Sequence, residues 1–577
     1  MRIGLVTEGG YPFLNSDAGP WCDRLVRGLG QHEFDIYALS RSRCQEDEGW
    51  APLPPQVSRV HVAPLWTAED DGVTHGRRAR RRFTECYGEL VAAICAEPSA
   101  TPAHASEAVH APEADRFSNA LYGLADLARD EGGLVSALRS EGAVRALERA
   151  CRAPGALRTA RDARVADLLT VAAHLESALR PLSLDWYDDA GLGSADVCHA
   201  ASGGPAALTG LLAGHFFGVP LLVTEYGVRL RSHYLAPGPG PQATPVARAL
   251  LAAFHGRLAT EVYRRAACVT PGNAHARRWQ ERCGADRDKL RTVYPGMDAS
   301  RFAEVGEAPD AADPGTLVWV GRIEPAKDLV SLLHAFAEVR KEEPGARLRI
   351  VGPPAGAEGE AYLAHCRALA AQLFPDEAAG LHAVGDNPVS FEEIGGPELP
   401  LLADAYAAGA VVVLSSVVEG FPIGLVEAMF CGRATVSTDV GAVVEVIGGT
   451  GLVIPPRNPR ALAEACVALL RDPERRARLG AAARARALEL FTVEQNVAAF
   501  HGIYLELVSR CPVNRVVLDD TGEPLPFGVP AEAHVPGRWT DSGARVVARG
   551  GPGWATAPVR AASRAGTAPV PAGEAAR

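Results

Sequence analysis

The sequence predicts an α/β protein of two parallel-sheet domains that face each other across a cleft. Three observations predict it. Short runs rich in β-branched residues alternate with helical periodicity along most of the chain, the pattern of βαβ layering. The runs fall into two sets on either side of "YPGMDASRF" (residues 294–302), whose Pro-Gly turn suits a hinge. At 577 residues the chain exceeds what one hydrophobic core holds, so two or more domains are expected.

In the first set the expected strands are Ile3–Thr7, Phe34–Leu39, Arg59–Val62, Asp196–His199, Leu221–Thr224, Cys268–Thr270 and Thr292–Tyr294. In the second they are Leu317–Val320, Arg347–Gly352, His382–Val384, Val411–Leu414, Ala434–Ser437 and Leu452–Ile454. The domains expected are therefore 1–298 and 299–508, with the last helix of the second a candidate to pack back on the first. An insertion over about 96–180 interrupts the first domain. Residues 96–115 are Ala/Pro/Glu-rich and read as a flexible surface segment, and 118–180 are Ala/Leu/Arg-rich with helical periodicity. From 509 to 577 the composition is Pro/Gly/Ala-rich without periodicity, so a disordered tail is expected.

Composition narrows the function classes. The chain is 47% hydrophobic and 22% charged, ordinary for a globular enzyme, and its net charge of −11 argues against a general nucleic-acid binder. The twelve cysteines show no C-x-x-C pair and no zinc spacing, which reads as reduced thiols in a cytoplasmic protein. "MRIGLVTEGG" enters a strand pattern without a secretory h-region. Val197–Thr224 has no Asp, Glu, Lys or Arg, but its glycines and prolines favour strand, turn, helix, strand over a membrane span.

The chemistry concentrates in "SSVVEGFPIGLVEAMFCGRATVS", residues 415–437. A buried strand runs into a turn at Gly420-Phe421-Pro422-Ile423-Gly424, with Glu419 before the turn and Glu427 beyond it. Pro422 suits the first turn of a helix and Gly432 its end. The amides of Ile423, Gly424 and Leu425 are then expected to point out of the helix N-terminus as an anion site. Glu427, about 7.5 Å along the axis from Pro422, suits vicinal hydroxyls, since a carboxylate accepts two hydrogen bonds. Two solvated glutamates on an ordinary βα unit are the plain alternative. "TLVWVGRIEPAKDLVSLLHAF" tips the balance: a strand ends in Gly321-Arg322, and Lys327 opens the next helix. Such a pair of cations suits a diphosphate, Arg as a fork and Lys as a point charge. Lys327 is also one of only three lysines among 58 basic residues.

"GRIEPAKD", "SSVVEGFPIGLVEAM", "STDVGAVVEVI" and "GLVIPPRNPRALAEA" stand in the order and spacing of retaining, nucleotide-sugar-dependent family 4 glycosyltransferases with the GT-B fold, and residues 315–508 resemble that family's donor domain. "TEGGYPFL" (7–14), Trp21 and "TEYGVRLRSHYL" (224–235) resemble more narrowly the Pel exopolysaccharide branch. The resemblance implies that Arg322 and Lys327 neutralise the donor diphosphate, Glu419 contacts the sugar, Glu427 the ribose, and the amides after Glu419 complete the cradle. It implies no metal and no cofactor, a nucleotide-sugar donor, an unidentified glycan or small-molecule acceptor, and peripheral association with a membrane polysaccharide assembly.

Two positions depart from that branch. Ser16 and Asp17 replace a Gly-Gly pair in the first loop, where Asp17 either turns toward the acceptor or caps the following helix. Tyr226 replaces a His after Thr224-Glu225, and His199 stands at a strand end facing the cleft. These residues are the acceptor-side candidates. The rival reading, which Asp17 and Tyr226 favour, is a non-catalytic sugar-nucleotide-binding subunit. A sugar-nucleotide epimerase fits the glutamate motif less well.

Overall fold

The computed structural model describes the chain except residues 15–18, 69–70, 98–111, 236–243, 308–311, 376–386, 397–398 and 514–577. Two all-parallel sheets of six strands carry it. The first contains β1 (Arg2–Glu8), β2 (Glu33–Ser40), β3 (Val57–Pro64), β4 (Val197–Ala200), β5 (Leu221–Glu225) and β6 (Cys268–Pro271). The second contains β7 (Asp313–Val320), β8 (Arg347–Val351), β9 (Val389–Glu392), β10 (Gly409–Leu414), β11 (Ala434–Thr438) and β12 (Leu452–Ile454). Central strands such as β10, GAVVVL, are buried at every position, as a sheet covered by helices on both faces requires. The orders are β3-β2-β1-β4-β5-β6 and β12-β11-β10-β7-β8-β9. Strand order therefore reverses between β1 and β4 in one sheet and between β7 and β10 in the other. Crevices beyond the carboxyl ends of such strand pairs are where open α/β sheets bind ligands.

Three expectations about strands change. Thr292–Tyr294 is not a strand: after Val293 N–H bonds Pro271 O at 3.0 Å, the chain leaves the sheet to cross to the second domain. β9 is an unanticipated edge strand, half-buried beyond Val389 and thus weak in hydrophobic signal. The expected strand His382–Val384 lies outside the described residues. Val197–Thr224 forms β4, the helix Pro205–Phe217 and most of β5, and no helix among the described residues is long and apolar enough to cross a membrane.

The helices Pro112–Glu131, Glu141–Arg152 and Val165–Ala178 are not an appendage. Phe117, Leu121, Leu147 and Val171 share one buried core with Val6 and Tyr37 of the sheet. The segment expected to be flexible falls largely within 98–111, outside the described residues.

The chain crosses between domains twice, and the crossings touch. Met297 N–H bonds Phe491 O at 2.8 Å, and Val493 N–H bonds Met297 O at 3.2 Å. Gly296 permits this approach, since a Cβ there would stand 2.9 Å from Val493 Cα. The returning helix Val493–Arg510 then covers the first domain, burying Phe500 and Tyr504 against Trp21, Leu25 and Val197. Val513, beyond the expected start of the tail, is also buried in the first domain's core. Residues 514–577 lie outside the described part.

This docked helix introduces a pH dependence. His32, 4% exposed, meets His501 at 3.1 Å, and burial pushes its pKa from 6.5 down to about 3, with the amino terminus and His501 adding repulsion. A group depressed in the folded state is neutral there while the unfolded chain binds the proton. Its contribution is therefore complete above pH 6.5 and lost as pH falls from 6.5 toward about 3. His32→Asn should flatten the fall of Tm over that window, as a calorimetric pH series will show.

Candidate active site

The loops after β7 and β10 leave adjacent strands at the second sheet's switch point, so Gly321–Lys327 and Ser415–Pro422 are neighbours by topology. Lys327 Nζ lies 2.5 Å from Glu419 Oε1, with the side chains 19% and 9% exposed. Ser416 Oγ donates to the same oxygen at 2.8 Å, and Ser415 Oγ donates to Lys327 O at 2.7 Å. Val417 N–H bonds Ala326 O at 2.9 Å, so backbone as well as side chains join the two loops. Arg322 is exposed and has no ion-pair partner among the described residues.

The turn is clamped from two further sides. Gly441, at φ 58°, brings the loop after β11 against it; a Cβ there would lie 2.5 Å from Glu419 O. Phe421 packs against Tyr294 and Phe491, one from each crossing between the domains. The helix begins at Ile423, with Pro422 as its cap residue at ψ 82° rather than inside the first turn. That geometry redistributes the expected free amides. Ile423 N–H bonds Phe421 O at 3.0 Å and Leu425 N–H bonds Pro422 O at 3.1 Å. The Gly424 amide, and ahead of the helix those of Gly420 and Phe421, have no acceptor among the described residues. Glu427, one turn into the helix, accepts Tyr406 OH on Oε2 at 2.7 Å. Burial raises its pKa, opposed by the Tyr406 hydrogen bond and the Arg301 charge.

On the first-domain side, three of the expected residues are engaged elsewhere. His199 is 0% exposed, sharing hydrogen bonds with Tyr504 OH at 2.6 Å and Thr224 Oγ1 at 2.7 Å, and burial holds its pKa down to about 3. It is a core residue, because the returning helix closes over it. Glu225 is 3% exposed and accepts Tyr263 OH and, at 3.0 Å, Arg229 N–H, so it ties down its own loop, and burial raises its pKa. Tyr226 packs edge-on against Trp21, its hydroxyl accepting from Asn496 Nδ2 at 3.3 Å. Asp17 lies outside the described residues.

Other polar residues at this edge of the first domain and at the crossing were missed. Glu8, at the end of β1, pairs with Arg229 at 2.6 Å and Arg41 at 3.5 Å. Arg231 Nη2 crosses the cleft to Glu419 O at 2.9 Å. Asn496 joins Trp21, Tyr226 and Tyr294 at the hinge. Only Glu8 carried a signal, as a carboxylate closing an apolar strand run; the others are single polar residues in helical segments.

Comparison with known proteins matches two separate segments of the chain. Residues 314–472 match the family model Glycosyl transferases group 1, and residues 1–288 match one described as a domain of unknown function, DUF3492. D-inositol 3-phosphate glycosyltransferase of Streptomyces bingchenggensis is 32% identical over 238 residues, 39% of this chain and 49% of that protein. The protein of the same name from Rhodococcus erythropolis is 32% identical over 290 residues, 48% of this chain and 60% of its own length. The chain thus spans about half the length of the curated relatives it matches. Sucrose-phosphate synthase from Thermosynechococcus elongatus superposes with a TM-score of 0.52 at 16% identity, covering 88% of this chain and 100% of that structure. The fold is GT-B, the two-domain architecture of a class of glycosyltransferases. Within it, the second domain carries the glycosyl transferases group 1 segment.

Gly352 tests how the cation loop is held. Its φ is 140°, and a Cβ there would stand 1.9 Å from Gly321 O. Gly352→Ala should destabilise the protein by at least about 2 kcal/mol, read as a lowered chemical-denaturation midpoint, whereas Gly345→Ala, with open space around it, should not.

Proposed function

We propose that this chain is a retaining glycosyltransferase moving a hexose from a nucleotide sugar, a UDP-sugar, to a glycan or other acceptor in exopolysaccharide or cell-surface glycan synthesis. The observation that carries the reading is the Lys327–Glu419 pair at the switch point, with Arg322 before it and Glu427 one turn beyond. The group 1 match over 314–472 supports a sugar transferase. The Pel-like "TEGGYPFL" and "TEYGVRLRSHYL" segments support the exopolysaccharide context. On this reading the protein acts in the cytoplasm, peripheral to a membrane polysaccharide assembly.

A donor binds by exchange. Breaking a largely buried ion pair is unfavourable unless both charges find new partners. The diphosphate takes Lys327 from Glu419, and the freed carboxylate accepts from hydroxyls of the transferred sugar. Arg322 forks onto phosphate oxygens, and the Gly420, Phe421 and Gly424 amides supply neutral donors. Glu427 keeps Oε1 for the ribose while Tyr406 holds Oε2. These cations and the helix N-terminus stabilise charge building on the leaving diphosphate, the role assigned to protein groups in a metal-independent site. The anomeric carbon–phosphate oxygen bond breaks as the acceptor oxygen bonds the same face. The acceptor proton passes to a phosphate oxygen, so no protein nucleophile is needed.

Lys327→Ala should weaken binding of free UDP by about 1.5–3 kcal/mol, a loss of roughly 10- to 150-fold, and should also lower Tm, because Glu419 loses its ion-pair partner. Unchanged affinity in a folded variant would remove Lys327 from the site. Glu427→Gln should raise the Kd for free UDP, which carries ribose but no sugar. Glu419→Gln should not raise that Kd, and should lower it because UDP no longer has to take Lys327 from a carboxylate, while kcat for UDP-sugar turnover, measured as hydrolysis, falls. Equal losses of UDP binding in both variants would defeat the division of roles.

A further inference from the structure

We propose that Arg231 is a third cation of the donor site, supplied by the first domain, where it binds the β-phosphate of a nucleoside diphosphate; this rests on the donor reading above. Arg231 lies in the helix Arg229–Leu235, which follows β5 at the carboxyl edge of the first sheet. From there Nη2 reaches across the cleft to Glu419 O at 2.9 Å. Glu419 therefore holds Lys327 by its carboxylate and Arg231 by its carbonyl. The two cations bracket one residue of the turn.

The guanidinium is incompletely satisfied. It is half-buried, and its ordinary pKa is lowered by that burial, with the Glu419 charge as the opposing influence. Among the described residues no carboxylate lies within ion-pair distance of it, so its acceptor is a neutral carbonyl. On the first-domain side the charges around its neighbour His275 are cations too. His275 Nε2 is buried without a hydrogen-bond partner, and Arg231, Arg278 and Arg282 all act on that histidine as like charges. A partly desolvated cation with a neutral partner is a strong site for an anion entering the cleft. The groups on the opposite wall identify which anion. Lys327 and the unpaired amides of Gly420 and Phe421 flank the same turn, and a guanidinium fork matches phosphate oxygens. Because Arg231 belongs to the first domain, it adds to donor binding only while the cleft is closed.

Calorimetric titration of the full chain with UDP and with UMP, which lacks the β-phosphate, tests this. Arg231→Gln should weaken UDP by about 10-fold or more and UMP by less than about 2-fold, with Arg231→Lys recovering only part of the loss, since an ammonium keeps the charge but not the fork. A role confined to holding the Glu419 carbonyl would weaken both nucleotides alike, and that result overturns the proposal, as does unchanged UDP affinity. If Arg231 served an acceptor instead, neither nucleotide would be affected. Wild-type protein that binds none of UDP, GDP or ADP would defeat the donor reading and this inference together. Wild-type binding with an indifferent Arg231→Gln defeats Arg231 alone. Tm measured for both variants separates misfolding from lost binding.

Discussion

Lys327 and Glu419 hold each other at 2.5 Å where both side chains are largely out of water, and the cleft is arranged around that pair. Two charges so placed lose hydration that their attraction restores only with good geometry and further hydrogen bonds. Ser416 supplies one to the carboxylate, and Ser415 fixes the Lys327 backbone. Thr438 Oγ1 donates to Ser416 O at 2.6 Å, bringing in the strand beyond. The loops after β7, β10 and β11 thus converge on one carboxylate. On the proposed function the pair is a placeholder, each partner held where a diphosphate and a sugar would claim it.

The same turn is coupled to the hinge. Phe421 packs against Tyr294 at a tilt and edge-on against Phe491, and Tyr294 OH donates to Glu445 Oε1 at 2.9 Å. Glu445 Oε2 also accepts Ala274 N–H at 2.6 Å, satisfying an amide at the start of a first-domain helix. Asn496 ties the returning helix to Trp21, Tyr226 and Tyr294. Opening the cleft would have to break the Arg231 and Glu445 contacts while the two touching crossings bend. The Tyr at 226 has a mechanical place in this arrangement, as a packed strut between the first domain and the crossing. That accounts for a residue with no proton to exchange near neutral pH.

Much of the fold was legible because its signals are local. Eleven of the thirteen expected strands are present, since apolar β-branched runs between glycine turns have few other stable uses. The edge strand β9 was illegible because half its surface faces water and its composition follows. Thr292–Tyr294 misled for the opposite reason: a short β-branched segment next to a sheet serves as a crossing. The helical insertion was legible as helices, but not as part of the sheet's own core. Its periodicity records which face is buried and not what buries it.

The sequence by itself determined the two-sheet class, the hinge, and the spacing that puts Arg322, Lys327, Glu419 and Glu427 on loops and a helix at strand ends. These follow from short-range patterns of hydrophobicity, glycine and charge, which the backbone obeys within a few residues. Tertiary structure alone decided that Glu419 pairs with Lys327 ninety-two positions away, and that Ile423 and Leu425 bond locally while Gly420, Phe421 and Gly424 keep free amides. It also decided that His199 and Glu225 are enclosed while Arg231 crosses the cleft. A side chain's access to the cleft depends on which distant segment covers it. Here that segment is a helix beginning at Val493, which returns across the hinge to bury a histidine that no local pattern marks as covered.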